Sequence, residues 1–224
     1  TGTKPMQSQS GLLTTISYKL GENEPTYYAL EGSVAYCGSL IQWLRDNLMI
    51  INDAKETEMY AEKVKDNGGV YFVPAFAGLH APYWDNTARG CLIGMTAFNN
   101  KSHIIRAALE SAAFQTQEVL SAMNKDSGIT LKSLKVDGGM TQNKLVMQFQ
   151  TDLLNVPLLR PAMVETTALG AAFMAGLKIN AYKSLKDISK NWSLEKKFIP
   201  KMKNYNRKSL LLGWSKAIKR ALIN

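Results

Sequence analysis

The sequence predicts an α/β domain, and three observations carry that prediction. Short runs rich in β-branched and aromatic residues alternate with longer runs of helical apolar spacing along most of the chain. A length of 224 residues is enough to bury a core without disulfide or metal staples. With 46% hydrophobic and 20% charged residues the composition is that of a globular protein rather than a disordered one.

The elements follow in order. Residues 12–18 are β-rich, residues 21–24 form a turn around Gly21, and residues 27–30 return as a second strand. Ser33 is a suitable N-cap for a helix in which Leu40, Trp43, Leu44 and Leu48 share one face. A more charged helix over residues 53–65 is closed by Gly68 and Gly69. Residues 70–73 are an apolar strand stopped by Pro74, and residues 75–90 are a long loop rich in glycine, proline and aromatics. Loops of that length either carry function or pack as compact Ω-loops. A strand over 91–95 precedes a long helix over 103–123. Residues 134–136 form a buried strand that runs into Asp137, Gly138 and Gly139 and a helix over 142–154. A strand over 156–159 and a helix of small residues over 166–176 complete the alternation, so that helices cover a sheet. No repeat, low-complexity stretch or clean linker interrupts the chain. The organisation is therefore one domain, residues 1–186, with a basic C-terminal helical extension, residues 187–224, packed on it.

The net charge of +9 is unevenly distributed. Residues 1–186 hold 17 basic and 16 acidic side chains, whereas residues 187–224 hold 10 basic and 2 acidic ones. Leu210, Leu211, Trp214, Ala217, Ile218, Ala221 and Leu222 repeat at helical spacing there, with Lys216, Lys219 and Arg220 on the other side. This is the pattern of an amphipathic helix packed on a domain with a solvated basic face. Contact with a membrane surface or with nucleic acid are the competing readings of such a face, and both are the less favoured. No apolar run approaches the length of a membrane span. Two cysteines, Cys37 and Cys91, cannot build a disulfide framework, which suits a reducing cytoplasmic setting. The first residues carry no secretory segment, and the lack of an initiator methionine implies a chain cut from something longer.

Three features could carry chemistry. The first is the strand–Gly138–Gly139–helix junction: glycine permits close approach to the backbone, and a helix start offers N–H donors that suit phosphate. Asn143 follows one turn on, where its amide could meet a nucleotide. A tight corner with no ligand is the alternative, and neither the phosphate loop with lysine nor the dinucleotide fingerprint is present. The second is the small-residue run Thr166, Thr167, Ala168, Leu169, Gly170, Ala171, Ala172, which suits close helix packing behind such a site. The third is the loop around His80, Tyr83, Trp84 and Asp85. His80 could serve as a base, but no carboxylate or nucleophile stands near it in sequence. Tyr83 and Trp84 suit a packed loop or an interface. His80 and His103 are the only imidazoles, and no metal-ligand spacing or catalytic triad pattern occurs.

At these residues the chain resembles the FGGY family of sugar and polyol kinases. The stretch from Gly90 through Met95, seven residues, and then His103, Ile104, Ile105, Arg106, Ala107, Ala108, Leu109 and Glu110 matches the second family signature along its length. The segments YALEGSV (28–34), SLIQWLRD (39–46), PAFAGLHAPYWD (74–85) and VDGGMTQNKLVMQ (136–148) are similar to the glycerol kinase branch in particular. The resemblance covers nearly everything from Gly11 to about Trp214 and implies an actin/hexokinase-like (ribonuclease H-like) ATPase domain. It implies the nucleotide-binding half of an enzyme that moves a phosphoryl group from ATP to glycerol, with Gly38, Gln42, Gly139 and Asn143 around ATP or ADP. Mg2+ would be held mainly through the nucleotide and the N-terminal domain. That domain would also supply glycerol binding and the catalytic base, so no catalytic or metal residue is assigned here and the chain alone should be inactive. The alternatives are a non-catalytic nucleotide-binding module or a kinase for another polyol or sugar. Partners implied by the resemblance are the N-terminal kinase domain and, as often in the family, further copies of the chain. His80 departs from the glycine common at its position.

Overall fold

The structure, a computed structural model, describes residues 1–222. The chain falls into two compact units: Thr1–Leu131 with the chain from Met202 onward, and Lys132–Lys201.

The first unit opens with an antiparallel hairpin, β1 (Leu13–Tyr18) and β2 (Tyr27–Glu31), whose pairing runs from Leu13 opposite Glu31 to Tyr18 opposite Tyr27. Tyr18 and Tyr27 stack at 4.7 Å across it. The expected helix begins later than Ser33: α1 spans Gly38–Asp46, with Cys37 as its N-cap. Gly32 marks a tight pass before it. A Cβ there would lie 2.5 Å from Val119 and 2.9 Å from Leu12, so the chain passes tightly over Val119 here, and residues 32–37 run non-helically up to the start of α1. Leu40 and Leu44 are buried as expected, but Leu48 lies beyond the helix and is exposed. Helix α2 (Glu56–Glu62) is shorter than the charged pattern suggested, because Asp53 and Asp66 bond the amides of Lys55 and Gly68 in turns at either side. Strands β3 (Tyr71–Val73) and β4 (Cys91–Ile93) pair antiparallel. β4 stops at Ile93 because Gly94, at φ +88°, passes so close to Gly69 that a Cβ would sit 2.1 Å from its carbonyl oxygen.

Helix α3 (Lys101–Ser127) is the axis of this unit. Its start is fixed by a capping box: the Asn100 side chain accepts from Ser102 N–H at 3.0 Å, and His103 Nδ1 accepts from Asn100 N–H at 3.2 Å. It packs against α1, α2 and β3. Ile105, Leu109 and Phe114 are buried along it.

The second unit holds β5 (Leu134–Lys135), the long helix α4 (Lys144–Leu154), β6 (Leu158–Pro161), α5 (Thr166–Lys178), α6 (Leu185–Ser189) and β7 (Leu194–Phe198). Its three strands lie in the order β5-β6-β7, the first pair parallel and the second antiparallel. Leu134 is only half-buried, and Lys135 is exposed with its ammonium over the Trp192 ring, so β5 is not the fully buried strand expected. β6 sits two residues later than expected, and β7 was hidden in the basic extension.

The chain then rejoins the first unit through α7 (Asn204–Ala221). Trp214 lies parallel to Phe114 at 4.9 Å, and Ala217, Ile218 and Ala221 are buried beside it, while Lys216, Lys219 and Arg220 are exposed. The units do not divide at residue 186. Lys186 lies inside α6 of the second unit, and the last two positions of the extension lie outside the described residues. Three small sheets stand where one covered sheet was expected. Strands of two to six residues, ended by bends such as that at Gly94, do not join into one ladder among the described residues.

Candidate functional site

The glycine junction of the second unit is built by backbone geometry. Gly138 has φ +83° and ψ 170°, a conformation essentially reserved for glycine. Its N–H donates to Val164 O at 3.0 Å, and its carbonyl accepts from Thr141 N–H at 3.1 Å and from the Thr141 hydroxyl at 2.7 Å. In a trans peptide the C=O and the following N–H point in opposite directions. The Gly138 carbonyl is turned in to Thr141, so the Gly139 N–H is turned out. Gly139 is exposed, and a Cβ built on it would meet nothing within 4 Å. It opens a 3-10 turn, Gly139–Gln142, that leads into α4.

Asn143 is not one turn inside a helix, as the spacing suggested, but the N-cap of α4. Its Oδ1 accepts from Val146 N–H at 3.0 Å. That bond fixes the side chain at the helix start and uses its oxygen, not its NH2. Both sequence-predicted residues of this unit therefore stand on one short turn. On the neighbouring segment Thr166, the first residue of α5, donates its hydroxyl to Asp137 Oδ2.

In the first unit Gly38 and Gln42 lie one turn apart on the exposed face of α1, opposite the buried Leu40, Ile41 and Leu44. Cys37 is the N-cap of the helix. A Cβ at Gly38 would also meet open space. Burial pushes the Cys37 thiol up, opposed by the Gly38 N–H, so it stands there as a neutral half-buried group. The two pairs belong to different compact units.

The loop over residues 75–90 is packed rather than poised. Asp85 accepts from the Thr87 hydroxyl and amide and from the Ala88 amide, which hold its carboxyl below the usual range. Gly78 at φ +94° lies so close to Asp85 that a Cβ would sit 2.5 Å from its carbonyl oxygen. Trp84 Nε1 donates to Gly11 O at 2.6 Å, and His80 stacks on Trp84 at 6.1 Å. His80 thus faces an indole, not a carboxylate.

Sequence reasoning missed Thr141, Arg160 and Glu195. Arg160, on β6 and 4% exposed, donates through Nη1 to Thr141 O at 2.6 Å and through Nε and Nη2 to both oxygens of Glu195 on β7, at 3.0 and 2.8 Å. An arginine in an otherwise apolar strand beside Pro161 was the one available signal.

Residues 1–179 match the C-terminal domain of the FGGY family of carbohydrate kinases. The chain is 57% identical over 218 residues to a glycerol kinase of Clavibacter michiganensis subsp. michiganensis, covering 97% of this chain and 43% of that protein. It is 54% identical over 220 residues to a glycerol kinase of Roseiflexus sp., covering 98% and 44%. The crystal structure of Plasmodium falciparum glycerol kinase with ADP superposes with a TM-score of 0.90 at 42% identity, covering 100% of this chain and 44% of the other. Gluconate kinase from Lactobacillus acidophilus, at 21% identity and a TM-score of 0.79, shares the fold. The chain spans less than half the length of the curated relatives it matches.

Proposed function

The chain belongs to the FGGY family of carbohydrate kinases, as its C-terminal domain with the α/β fold of the actin and hexokinase ATPases, and from that premise we propose that it is the nucleotide-binding half of an ATP-dependent glycerol kinase. The observation that carries the reading is the exposed Gly138–Gly139 turn, in which Thr141 holds the Gly138 carbonyl, the Gly139 N–H points away from that contact, and a Cβ at Gly139 would meet nothing within 4 Å. A phosphate oxygen is a ligand such a backbone donor suits. The Asn143 amide adds a second donor on the same turn; for the first unit by itself, Gly38 and Gln42 on α1 are assigned to nucleotide binding on the resemblance of motifs. The ADP named with the Plasmodium protein agrees with this assignment.

The reaction we assign to the complete enzyme is in-line attack by a terminal glycerol oxygen on the γ-phosphorus of ATP, giving glycerol 3-phosphate. Such transfers depend on positioning and charge stabilisation more than on covalent chemistry. Mg2+ supplies charge neutralisation on the phosphates. We assign its binding mainly to the nucleotide and the N-terminal half, as the resemblance of motifs implies. The base that removes the glycerol proton and the glycerol pocket are assigned to the same half, and the protein to the cytoplasm. No helix among the described residues is long and apolar enough to cross a membrane.

The test is complementation. The purified 224-residue chain is expected to bind ADP and to turn over no glycerol, and to regain kinase activity when mixed with the N-terminal half of a related glycerol kinase. Glycerol phosphorylation by the chain alone overturns the division of labour. ADP binding without restored activity supports a nucleotide-binding module and not half an enzyme.

A further inference from the structure

We infer that Arg160 is a positioning residue for phosphate recognition: it aims the Gly139 N–H without touching the nucleotide. The inference rests on the reading of Gly139 as a phosphate donor and adds what orients it.

The relay is short and wholly buried at its centre. Glu195 on edge strand β7 receives both Nε and Nη2 of Arg160, the bidentate geometry that fixes a guanidinium plane. The remaining nitrogen Nη1 reaches the Thr141 carbonyl at 2.6 Å. Thr141, 3% exposed, spends its N–H and its hydroxyl on the Gly138 carbonyl. That carbonyl shares a rigid plane with the Gly139 N–H. Rotating the plane to turn the donor inward would break both bonds from Thr141, and moving Thr141 would strip Arg160 of its third acceptor. From below, Gly138 N–H is held to Val164 O at 3.0 Å. A glycine pair would otherwise be the most freely rotating part of the turn. The arginine therefore removes conformations that glycine alone leaves open.

A lysine at 160 keeps the charge and can reach one acceptor, but it cannot hold Glu195 in a planar fork and Thr141 at once. Glu195 is 44% exposed on its side chain, and glutamine there keeps one acceptor for Arg160 while removing the two-oxygen fork.

The experiment compares ADP with adenosine on the full 224-residue chain by isothermal titration calorimetry. Adenosine lacks phosphate and reports the remainder of the site. Arg160→Lys should weaken ADP about tenfold, the size of one misaligned charge-assisted hydrogen bond, and leave adenosine unchanged. Glu195→Gln should give a smaller loss of the same kind, and it serves if the lysine variant does not fold. Equal weakening of ADP and adenosine marks a merely structural arginine and overturns the inference, as does unaltered ADP affinity in a folded variant. If the unsubstituted chain binds adenosine as well as ADP, Gly139 is not a phosphate donor and the underlying reading falls first.

Discussion

Glu110 is a carboxylate without room for a hydration shell. It is 2% exposed on α3, receives Arg106 Nε at 2.9 Å and Asn67 Nδ2 at 3.0 Å, and has Asp66 and Tyr71 as its other polar neighbours. Burial pushes it up to about 7, with Arg106 and Asn67 pulling the other way and losing. The consequence has a sign. Below its ordinary value of 4.5 the group is protonated folded or unfolded, and its contribution is at its greatest. As pH rises, the unfolded chain ionises first, so stability drains away until the folded group ionises near 7. Glu118, raised by burial to about 6 although the Tyr83 hydroxyl donates to it, slopes in the same direction. The melting temperature should fall between about pH 5 and pH 8, and Glu110→Gln should flatten much of that fall. Thermal melts followed by circular dichroism check it; an unchanged slope in the variant rules Glu110 out as the source. At this scale the sequence was informative about identity and poor about posture. The motif placed Gly139 and Asn143 at a strand–helix junction, and the structure has them on one short turn. That Asn143 caps a helix, or that Gly138 adopts a glycine-only conformation, depends on where the neighbouring backbone goes.

Helix α7 shows how packing overrules propensity. Gly213 sits in its middle, where alanine ordinarily improves a helix by about 1 kcal/mol. Here a Cβ would lie 2.0 Å from the Tyr71 hydroxyl oxygen, and the Tyr71 ring packs 5.7 Å from Phe114. Gly213→Ala should therefore destabilise the chain by roughly 1–3 kcal/mol, the range of an overpacked core. Gly213→Ala with Tyr71→Phe should recover part of it by removing the hydroxyl. A midpoint in urea that rises on Gly213→Ala alone would refute the contact. Helices α3 and α7 were readable because a long period survives local irregularity. Strands β5 and β7 were not. Two residues carry no period, and in β7 only Phe198 is buried, so Lys196 and Lys197 looked like part of a solvated block. Ser33 misled for a different reason: it is a good cap residue by type, but the helix starts only at Gly38, after the close pass of Gly32 over Val119.

At the scale of the molecule, the resemblance of motifs carried the fold class further than the periodicities did. Alternating strands and helices pointed to one covered sheet, whereas the described residues form two units with three small sheets. The length covered in the relatives, under half, is why the chain is expected to need another half for turnover. The residues that aim the turn escaped the sequence because Arg160 and Glu195 are 35 positions apart, joined by a contact that no local spacing encodes. One further consequence belongs to α3, which α1, α2 and β3 all touch. Opening any of its middle turns to solvent means undocking several neighbours together, while β1 and β2 are exposed or half-buried along their length and lean on α3 through Leu30 beside Leu12 and Val119. In deuterated water the amides of residues 105–114 should be the last in the first unit to exchange and those of the hairpin among the first, so that one helix sets the clock by which the unit opens.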